Sequence, residues 1–422
     1  MSTDRADGSG APDEDGQTVG GRDDTLALTY EQHAWPDSES GEREPMSRRA
    51  RVRARGPYLA AVPPRIADHQ FHLSPHVLAE AEDALMEIAR FDAELASTRF
   101  GMEAEFAPLA AVLLRTESAS SSQIENLTAG AKALAMATLH ERAGANARSV
   151  AANVAAMQRA IEMADDLSVT TILGAHAALM HGQDHALPGS LRQSQVWIGS
   201  QAPTPHTASF VPPHCLRVGP AMDDLVAFCH RVDLPVLVHC AIAHAQFETI
   251  HPFVDGNGRV GRTLIQVLLR RAGSTRRITV PVSAGLLGDT ETYFRALTHF
   301  RAGHADPIVS RFAAATFSSV GNGRQLNSDL ADIFARWEHD LSARRDSAAW
   351  RALPFLLRQP AVTIKAVEQA TGVSNPAADR AVQRLAADGI LVPARANRRS
   401  RVWLAQDVLD ALDAFAARAA RG

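Results

Sequence analysis

Between Leu73 and Leu95 the string LSPHVLAEAEDALMEIARFDAEL repeats apolar residues three and four positions apart, which predicts one long helix with Ser74 as its N-cap. The same spacing predicts helices over PLAAVLLRTESASSSQIENL, the Ala-rich stretch to His140, and residues 147–164, 169–181, 220–230, 235–249 and 259–271. No alternation of Val, Ile or Thr is strong enough to predict a sheet. One interruption stands out. In LPGSLRQSQVWIGSQAPTPHTASFVPPHCL, Pro, Gly and Ser surround the short β-prone run Gln195–Ile198, which predicts a loop or small hairpin. The expected fold class is all-α: a helical bundle carrying a small β-hairpin flap.

Both ends of the chain break this rhythm. From Trp350, WRALPFLLRQ, TIKAVEQATG and SNPAADRAVQRLAADG predict three short helices, followed by an extended basic hairpin over ILVPARANRRSRVWLA. Residues 1–55 are rich in Gly, Asp, Glu, Ser and Arg, too polar to repay the entropy of ordering, and are expected to form a disordered tail. The predicted division is a tail at 1–55, a helical region at 56–165, a core at 166–320, a helical linker at 321–345 and a last unit at 346–422.

Composition fits a globular protein, with 46% apolar and 21% charged residues. The formal net charge of −4 splits into −9 over residues 1–45, where twelve Asp and Glu meet only Arg5, Arg22 and Arg43, and +5 over the rest. A mildly basic body suits a protein that handles polyphosphate or touches nucleic acid. The arginines at 48, 49, 51, 53 and 55 could contact nucleic acid or simply neutralise the acidic segment before them. Cys215, Cys229 and Cys240 are odd in number and lack Cys-x-x-Cys spacing, which points to a reducing cytoplasm. The most apolar run, Leu234 to Ala243, is too short to span a membrane, and no signal-peptide pattern opens the sequence. The expectation is a cytoplasmic protein that neither enters nor crosses a membrane.

Candidate chemistry concentrates in His251-Pro-Phe253-Val-Asp255-Gly256-Asn257-Gly258-Arg259-Val-Gly261-Arg262, between two helical stretches. Gly256 and Gly258 let backbone N–H groups approach an anion, and a helix starting near Arg259 presents free N–H groups and its positive end to the same point. Arg259 and Arg262, three apart, share a face, while Val260, Leu264, Val267 and Leu268 supply a buried stripe. Asp255 adds a carboxylate of the kind that holds Mg²⁺ beside phosphates. His251, with an unperturbed pKa of about 6.5, is the natural general base. Phe253 is expected to point away from solvent. His239 and His244, five apart, do not share a helix face as a metal pair would; Met157 and Met163 are expected as core filler.

This segment resembles the Fic motif, His-x-Phe-x-Asp/Glu-Gly-Asn-Gly-Arg-x-x-Arg, at every fixed position, and AHAQFETIHPFVDGNGRVGR resembles the Fic family around it. The likeness covers roughly residues 55–320. It implies a nucleotidyltransferase that moves AMP from ATP, with Mg²⁺, to a Ser, Thr or Tyr hydroxyl of a target protein. It implies that His251 deprotonates the acceptor, Asp255 holds the metal, Gly256, Asn257 and Gly258 form an anion hole, and Arg259 and Arg262 bind phosphate, with Gly261 in the same nucleotide site. The stretch Val196–Ile198 would be the flap that holds the acceptor by strand-like pairing. Tyr293 in TYFRAL is either an adenine contact or a plain core tyrosine. Upstream, Ser121-Ser-Gln-Ile-Glu125-Asn126 resembles the family's inhibitory motif, which implies that Glu125 reaches Arg262 and silences the enzyme.

The last unit resembles a winged helix-turn-helix, in which Gly372 would close the second helix and Ser374 would cap the recognition helix. Arg380 and Arg384 would lie along that helix, with Arg395, Arg398, Arg399 and Arg401 in the wing. DNA and a second copy of the chain are partners this architecture admits. The alternatives are a Fic enzyme with another donor or with AMP-removing activity, and a DNA-binding regulator whose pocket only senses nucleotide.

Overall fold

In the computed structural model, residues 26–35, 55–97, 107–139, 144–199, 204–394 and 402–421 are described. The predicted helices form, as α1 (Pro75–Ser97), α2 (Ala107–Ile124), α3 (Ala131–Thr138), α4 (Ala145–Glu162), α5 (Val169–Leu179), α6 (Cys215–Cys229), α7 (Val236–Ile250) and α8 (Asn257–Arg271). α9 (Val282–Leu287), α10 (Thr290–Arg301) and α11 (Asp306–Asp340) complete the central bundle. Local chemistry sets several ends. Ser168 and Thr171 form a reciprocal capping box at the start of α5, and Asp289 accepts the Thr292 N–H at 2.9 Å to start α10. Ser74 behaves differently from expectation: its carbonyl accepts the N–H groups of Val77 and Leu78, but its hydroxyl turns to Asp306 at the head of α11.

α7 is buried on all sides, from Leu237 to Ile250, so it forms the axis of the bundle. α8 packs along it, and α1, α6, α10 and α11 surround it. This arrangement places the loop between α7 and α8, residues 251–256, where two buried helices meet.

Three expectations need correction. The tail at 1–55 is not irregular throughout. Thr29–His33 (β1) pairs antiparallel with Tyr58–Val62 (β2), and the Leu28 N–H reaches the Arg301 carbonyl at 3.0 Å. The polar average of the tail hides this short run, which buries Leu26 and anchors Glu31 to Arg217 through two hydrogen bonds of 2.7 and 2.6 Å. Residues 1–25 and 36–54, including the arginines at 48, 49, 51 and 53, lie outside the described residues. Second, among the described residues the flap is a single bridge, Ile198 to Phe210, rather than a regular hairpin, and Ala61 of β2 donates to Val211 beside it at 3.0 Å. Third, the border drawn at 320 falls inside α11, which runs unbroken and keeps an apolar stripe buried from Ile308 to Trp337.

The last unit comprises α12 (Ala348–Arg358), α13 (Ile364–Thr371), α14 (Asn375–Ala387) and a three-stranded antiparallel sheet in the order β3 (Ala361–Val362), β5 (Trp403–Leu404), β4 (Val392–Pro393). It closes with a helix the sequence reading lacked, α15 (Gln406–Ala419). Gly372 ends α13 in the left-handed conformation, φ 68°, while Ser374 starts α14 through its carbonyl without a side-chain cap. Arg395, Arg398, Arg399 and Arg401 lie outside the described residues. Leu353 and Leu356 of α12 belong to the same apolar cluster as Val112 and Leu113 of α2, so this unit shares the core of the bundle. Asp413 of α15 accepts the Ala131 N–H at 3.0 Å and so caps α3. Among the described residues, no helix is long and apolar enough to cross a membrane.

Candidate active site

α7 stops at His251, which adopts φ 50°, a left-handed conformation uncommon for a residue with a Cβ. The loop that follows is closed by Asn257. Its Oδ1 accepts the Phe253 N–H at 2.8 Å and its Nδ2 donates to the Phe253 carbonyl at 2.9 Å, so the side chain is spent on the loop itself. Phe253 is fully buried and stacks on His176 at 3.7 Å. The Gly189 N–H donates to Nδ1 of His176, which leaves the proton on Nε2, and this donates to the Asp255 carbonyl at 3.1 Å. Burial pulls His176 below its ordinary range, in keeping with a neutral ring that holds the loop. Gly256 has φ 82°, and a Cβ there would press on Met180 Sδ at 3.0 Å.

α8 begins at Asn257, two residues ahead of the expected start, so the N–H groups of Asn257 and Gly258 fall in its first turn, where no intrahelical partner exists. An anion already stands there. The Glu125 carboxylate lies so close over Gly258 that a Cβ at that position would overlap its Oε1. The fork of Arg262 reaches Glu125 Oε1 at 2.8 Å, Ser121 Oγ at 2.9 Å and the Ser121 carbonyl at 2.7 Å. Ser121 and Glu125, one turn apart at the end of α2, thus grip one guanidinium, and Asn126 at φ 61° turns the chain away. Arg262 is 1% exposed and Glu125 39%. Burial works against charge on Glu125, but Arg262, helped by Arg259, outweighs it and holds the carboxyl below its usual range.

Asp255 is 47% exposed, with Oδ1 taking the Gly256 N–H at 2.5 Å and Arg259 Nη2 at 3.3 Å. A carboxylate fixed in this way beside a helix N-terminus fits the hard-oxygen donor that Mg²⁺ takes next to substrate phosphates.

His251 sits among charges the sequence reading did not single out. Burial, with Arg301 and Arg192 repelling the imidazolium, pushes it down to about 3, so the ring is neutral and able to accept a proton. Glu248, one turn back, is pushed up to about 7 by burial; its Oε2 is 3.9 Å from His251 Nδ1, beyond hydrogen-bond reach. Arg301 lies over the Phe210 ring at 3.7 Å and donates to the Glu248 carbonyl. Glu117 on α2 accepts from Ser283 and Gln266, which ties α2 to α8 and α9; burial pushes it up to about 7. The legible signal for these was a charged residue inside an otherwise apolar helical face, Glu117 and Glu248 above all.

Several sequence expectations change. Gly261 is not part of an anion site: it faces α7, where a Cβ would meet Glu248 Oε1 at 2.9 Å and Phe247 at 3.0 Å, so its role is close helix packing. Tyr293 is fully buried and its hydroxyl pairs with His244 Nε2 at 2.7 Å, which makes it a core tyrosine, while its neighbour Phe294 is exposed. His239 bonds the Phe228 carbonyl, and no cluster of His, Cys, Asp and Glu fit for a metal occurs among the described residues. Met157 is core, but Met163 ends α4 with 47% exposure, because the chain turns there and leaves it outside the stripe.

Residues 166–269 match the Fic/DOC family and residues 339–400 match the MarR family, so the chain joins a Fic/DOC domain to a MarR-type winged helix. It is similar to the protein adenylyltransferase fic-1 of Caenorhabditis briggsae, 28% identical over 167 residues that cover 37% of this chain and 31% of that one. It is also similar to the protein adenylyltransferase Fic of Drosophila sechellia, 32% identical over 175 residues covering 39% and 31%. The chain thus spans about a third of the length of these curated relatives. A solved Fic family protein from Desulfovibrio desulfuricans G20 aligns at 20% identity and TM-score 0.49, over 79% of this chain and 97% of that one.

Proposed function

We propose that the protein transfers AMP from Mg-ATP to a Ser, Thr or Tyr hydroxyl of a target protein in the cytoplasm, and that Glu125 holds this activity back. The observation that carries the reading is the Glu125 carboxylate, seated over Gly258 and in the Arg262 fork. A site that holds its own carboxylate against Gly258 in the first turn of a helix and in the fork of a buried arginine suits the oxygens of a polyphosphate. Similarity to adenylyltransferases adds the donor.

In this reading the β- and γ-phosphates lie against the first turn of α8, with Arg262 on the γ-phosphate and Arg259 beside Asp255. Neutral His251 takes the proton of the acceptor hydroxyl. The acceptor oxygen bonds to the α-phosphorus, and the bond to the bridging oxygen breaks to release pyrophosphate. Asp255 would hold Mg²⁺, which neutralises phosphate charge. With Glu125 in place, the γ-phosphate has no guanidinium to engage, so ATP cannot settle for in-line attack.

The test is mass spectrometry of lysate incubated with ATP and the Glu125→Gly protein, beside its His251→Ala counterpart. A +AMP adduct that depends on His251 is expected. Preferential labelling from UTP, GTP or CTP would replace the donor, and loss of AMP from a labelled protein would reverse the direction.

The winged helix gives a second partner. Asn375, Arg380, Gln383 and Arg384 are exposed on α14, residue types that bond phosphates and base edges. Duplex DNA binding that weakens as salt rises is expected in a gel shift. Affinity that depends on ATP, with no modified protein, would favour the nucleotide-sensing regulator.

A further inference from the structure

Arg192 is among the largest fully buried side chains of the protein, yet no carboxylate among the described residues pairs with it. Burying an uncompensated guanidinium is costly, and burial pushes Arg192 down to about 10. The positions of its donors account for its retention. Nε donates to the His251 carbonyl at 2.8 Å, and Nη2 reaches the Ile250 carbonyl at 3.4 Å and the Pro213 carbonyl at 2.5 Å. Nη1 donates to the Ser194 carbonyl at 3.0 Å, and the backbone N–H of Arg192 donates to the Pro252 carbonyl at 2.9 Å.

These acceptors fall in two groups. Ile250, His251 and Pro252 are the last residue of α7 and the turn after it, where His251 holds its left-handed φ of 50°. A non-glycine residue in that region costs roughly 1–2 kcal/mol and persists only where its surroundings over-determine it. Ser194 and Pro213 are the two legs of the flap, on either side of the Ile198–Phe210 bridge. Gln195 reinforces the same closure, donating to the Pro212 carbonyl at 2.9 Å. One planar fork therefore bonds both the backbone that carries the base and the backbone that frames the acceptor.

We propose that Arg192 is a positioning residue that fixes the imidazole of His251 relative to the flap, and thereby relative to the acceptor hydroxyl. The inference rests on the reading of His251 as general base. It separates two functions of the site: the nucleotide is held by the first turn of α8 and by Arg262, none of which Arg192 touches. A planar guanidinium meets acceptors in two directions at once, whereas an ammonium is a single point, so lysine is no substitute.

The experiment uses the full chain carrying Glu125→Gly, alone and combined with Arg192→Lys, Arg192→Gln or His251→Ala. AMP incorporation is followed against ATP concentration, together with labelled-ATP affinity and thermal melting. The Arg192 variants are expected to lose roughly 10–100-fold in kcat, as misplacement of catalytic geometry does, while KM for ATP and ATP affinity stay within about twofold. Full kcat in both Arg192 variants would overturn the proposal. So would a parallel loss of ATP affinity or fold with kcat, which marks Arg192 as a general structural strut. If Glu125→Gly alone incorporates no AMP, the transfer reading fails, whatever the Arg192 variants do.

Discussion

Two buried arginines flank the loop that carries His251, and they are held in opposite ways. Arg262 pairs with the Glu125 carboxylate at 2.8 Å, and although burial disfavours its charge, the surrounding acids raise its pKa above the ordinary value. Arg192 bonds only carbonyls, and burial lowers it. A guanidinium that faces an anion from another helix can exchange that anion for phosphate. One that is bound only to backbone carbonyls has no anion to exchange. On the proposed function, the difference divides the site into a part that would switch and a part that would stay fixed.

The largest expected effect lies on the fixed side. On the proposed function, His251→Ala should reduce transfer by about 10²–10⁴-fold, the usual contribution of a positioned base, with ATP affinity nearly unchanged because that reading assigns the phosphates to α8 and Arg262. Auto-AMPylation measured beside ATP binding checks both halves. Near-normal transfer would remove His251 from the chemistry and leave the fixed side without a function.

Next comes the switching side. Glu125→Gly empties the Arg262 fork without touching His251 or Asp255 and should raise auto-AMPylation at least about tenfold, equivalent to ~1.4 kcal/mol. Adding Arg262→Ala should erase that gain. Wild-type activity equal to that of Glu125→Gly would mean that the pair is only structural.

The switching side was legible in the sequence and much of the fixed side was not, for a physical reason. Arg262 and Glu125 belong to short local patterns in which residue type and spacing carry the chemistry. The Arg192 side chain bonds carbonyls up to 59 positions away, and a carbonyl has no residue type to notice. His176 escaped for the same reason, since its partners are the backbone of Gly189 and Asp255. Helix positions followed from apolar spacing, whereas β1, a five-residue strand inside a polar tail, depends on a partner 25 to 33 residues further along. Gly261 was assigned to nucleotide because it sits inside the motif, but its missing side chain serves α7.

A third buried arginine sharpens the comparison. Arg115 on α2 also pairs with no carboxylate among the described residues; burial, with repulsion from Arg358, pushes it down to about 10, and its Nη2 reaches Gln359 Oε1 at 3.3 Å. Gln359 also takes the Thr138 hydroxyl at 3.1 Å and donates to the Ala135 carbonyl at 2.9 Å, which joins α2, α3 and the winged-helix unit. Gln359→Ala leaves these groups unsatisfied and should cost about 1–3 kcal/mol in urea unfolding. Any rise in auto-AMPylation should stay below that of Glu125→Gly, because the Arg262 fork remains closed. A larger rise would place the switch at the winged helix instead.

The smallest expected effect is the response to mild acid. The carboxyl of Glu125 is held below its ordinary range, so the pair with Arg262 is fully present above that range and is lost only as pH falls through the depressed value. His251 is pushed down to about 3, so the base also remains neutral well below pH 6. Neither half of the switch titrates between about pH 5.5 and 8, where unperturbed histidine would change charge. The ratio of Glu125→Gly to wild-type transfer rates should therefore be flat across that window. Glu117, pushed up to about 7 by burial with no contribution from Glu125, alters both proteins alike and cancels in the ratio, whereas Glu248, raised to about 7 in part by the Glu125 charge, confines any slope to the neighbourhood of pH 7. A ratio that collapses toward one by pH 5.5 would show Glu125 taking up a proton far above its depressed range. That outcome would break the contrast at its switching end, because a carboxyl that protonates so readily is not gripped by the Arg262 fork.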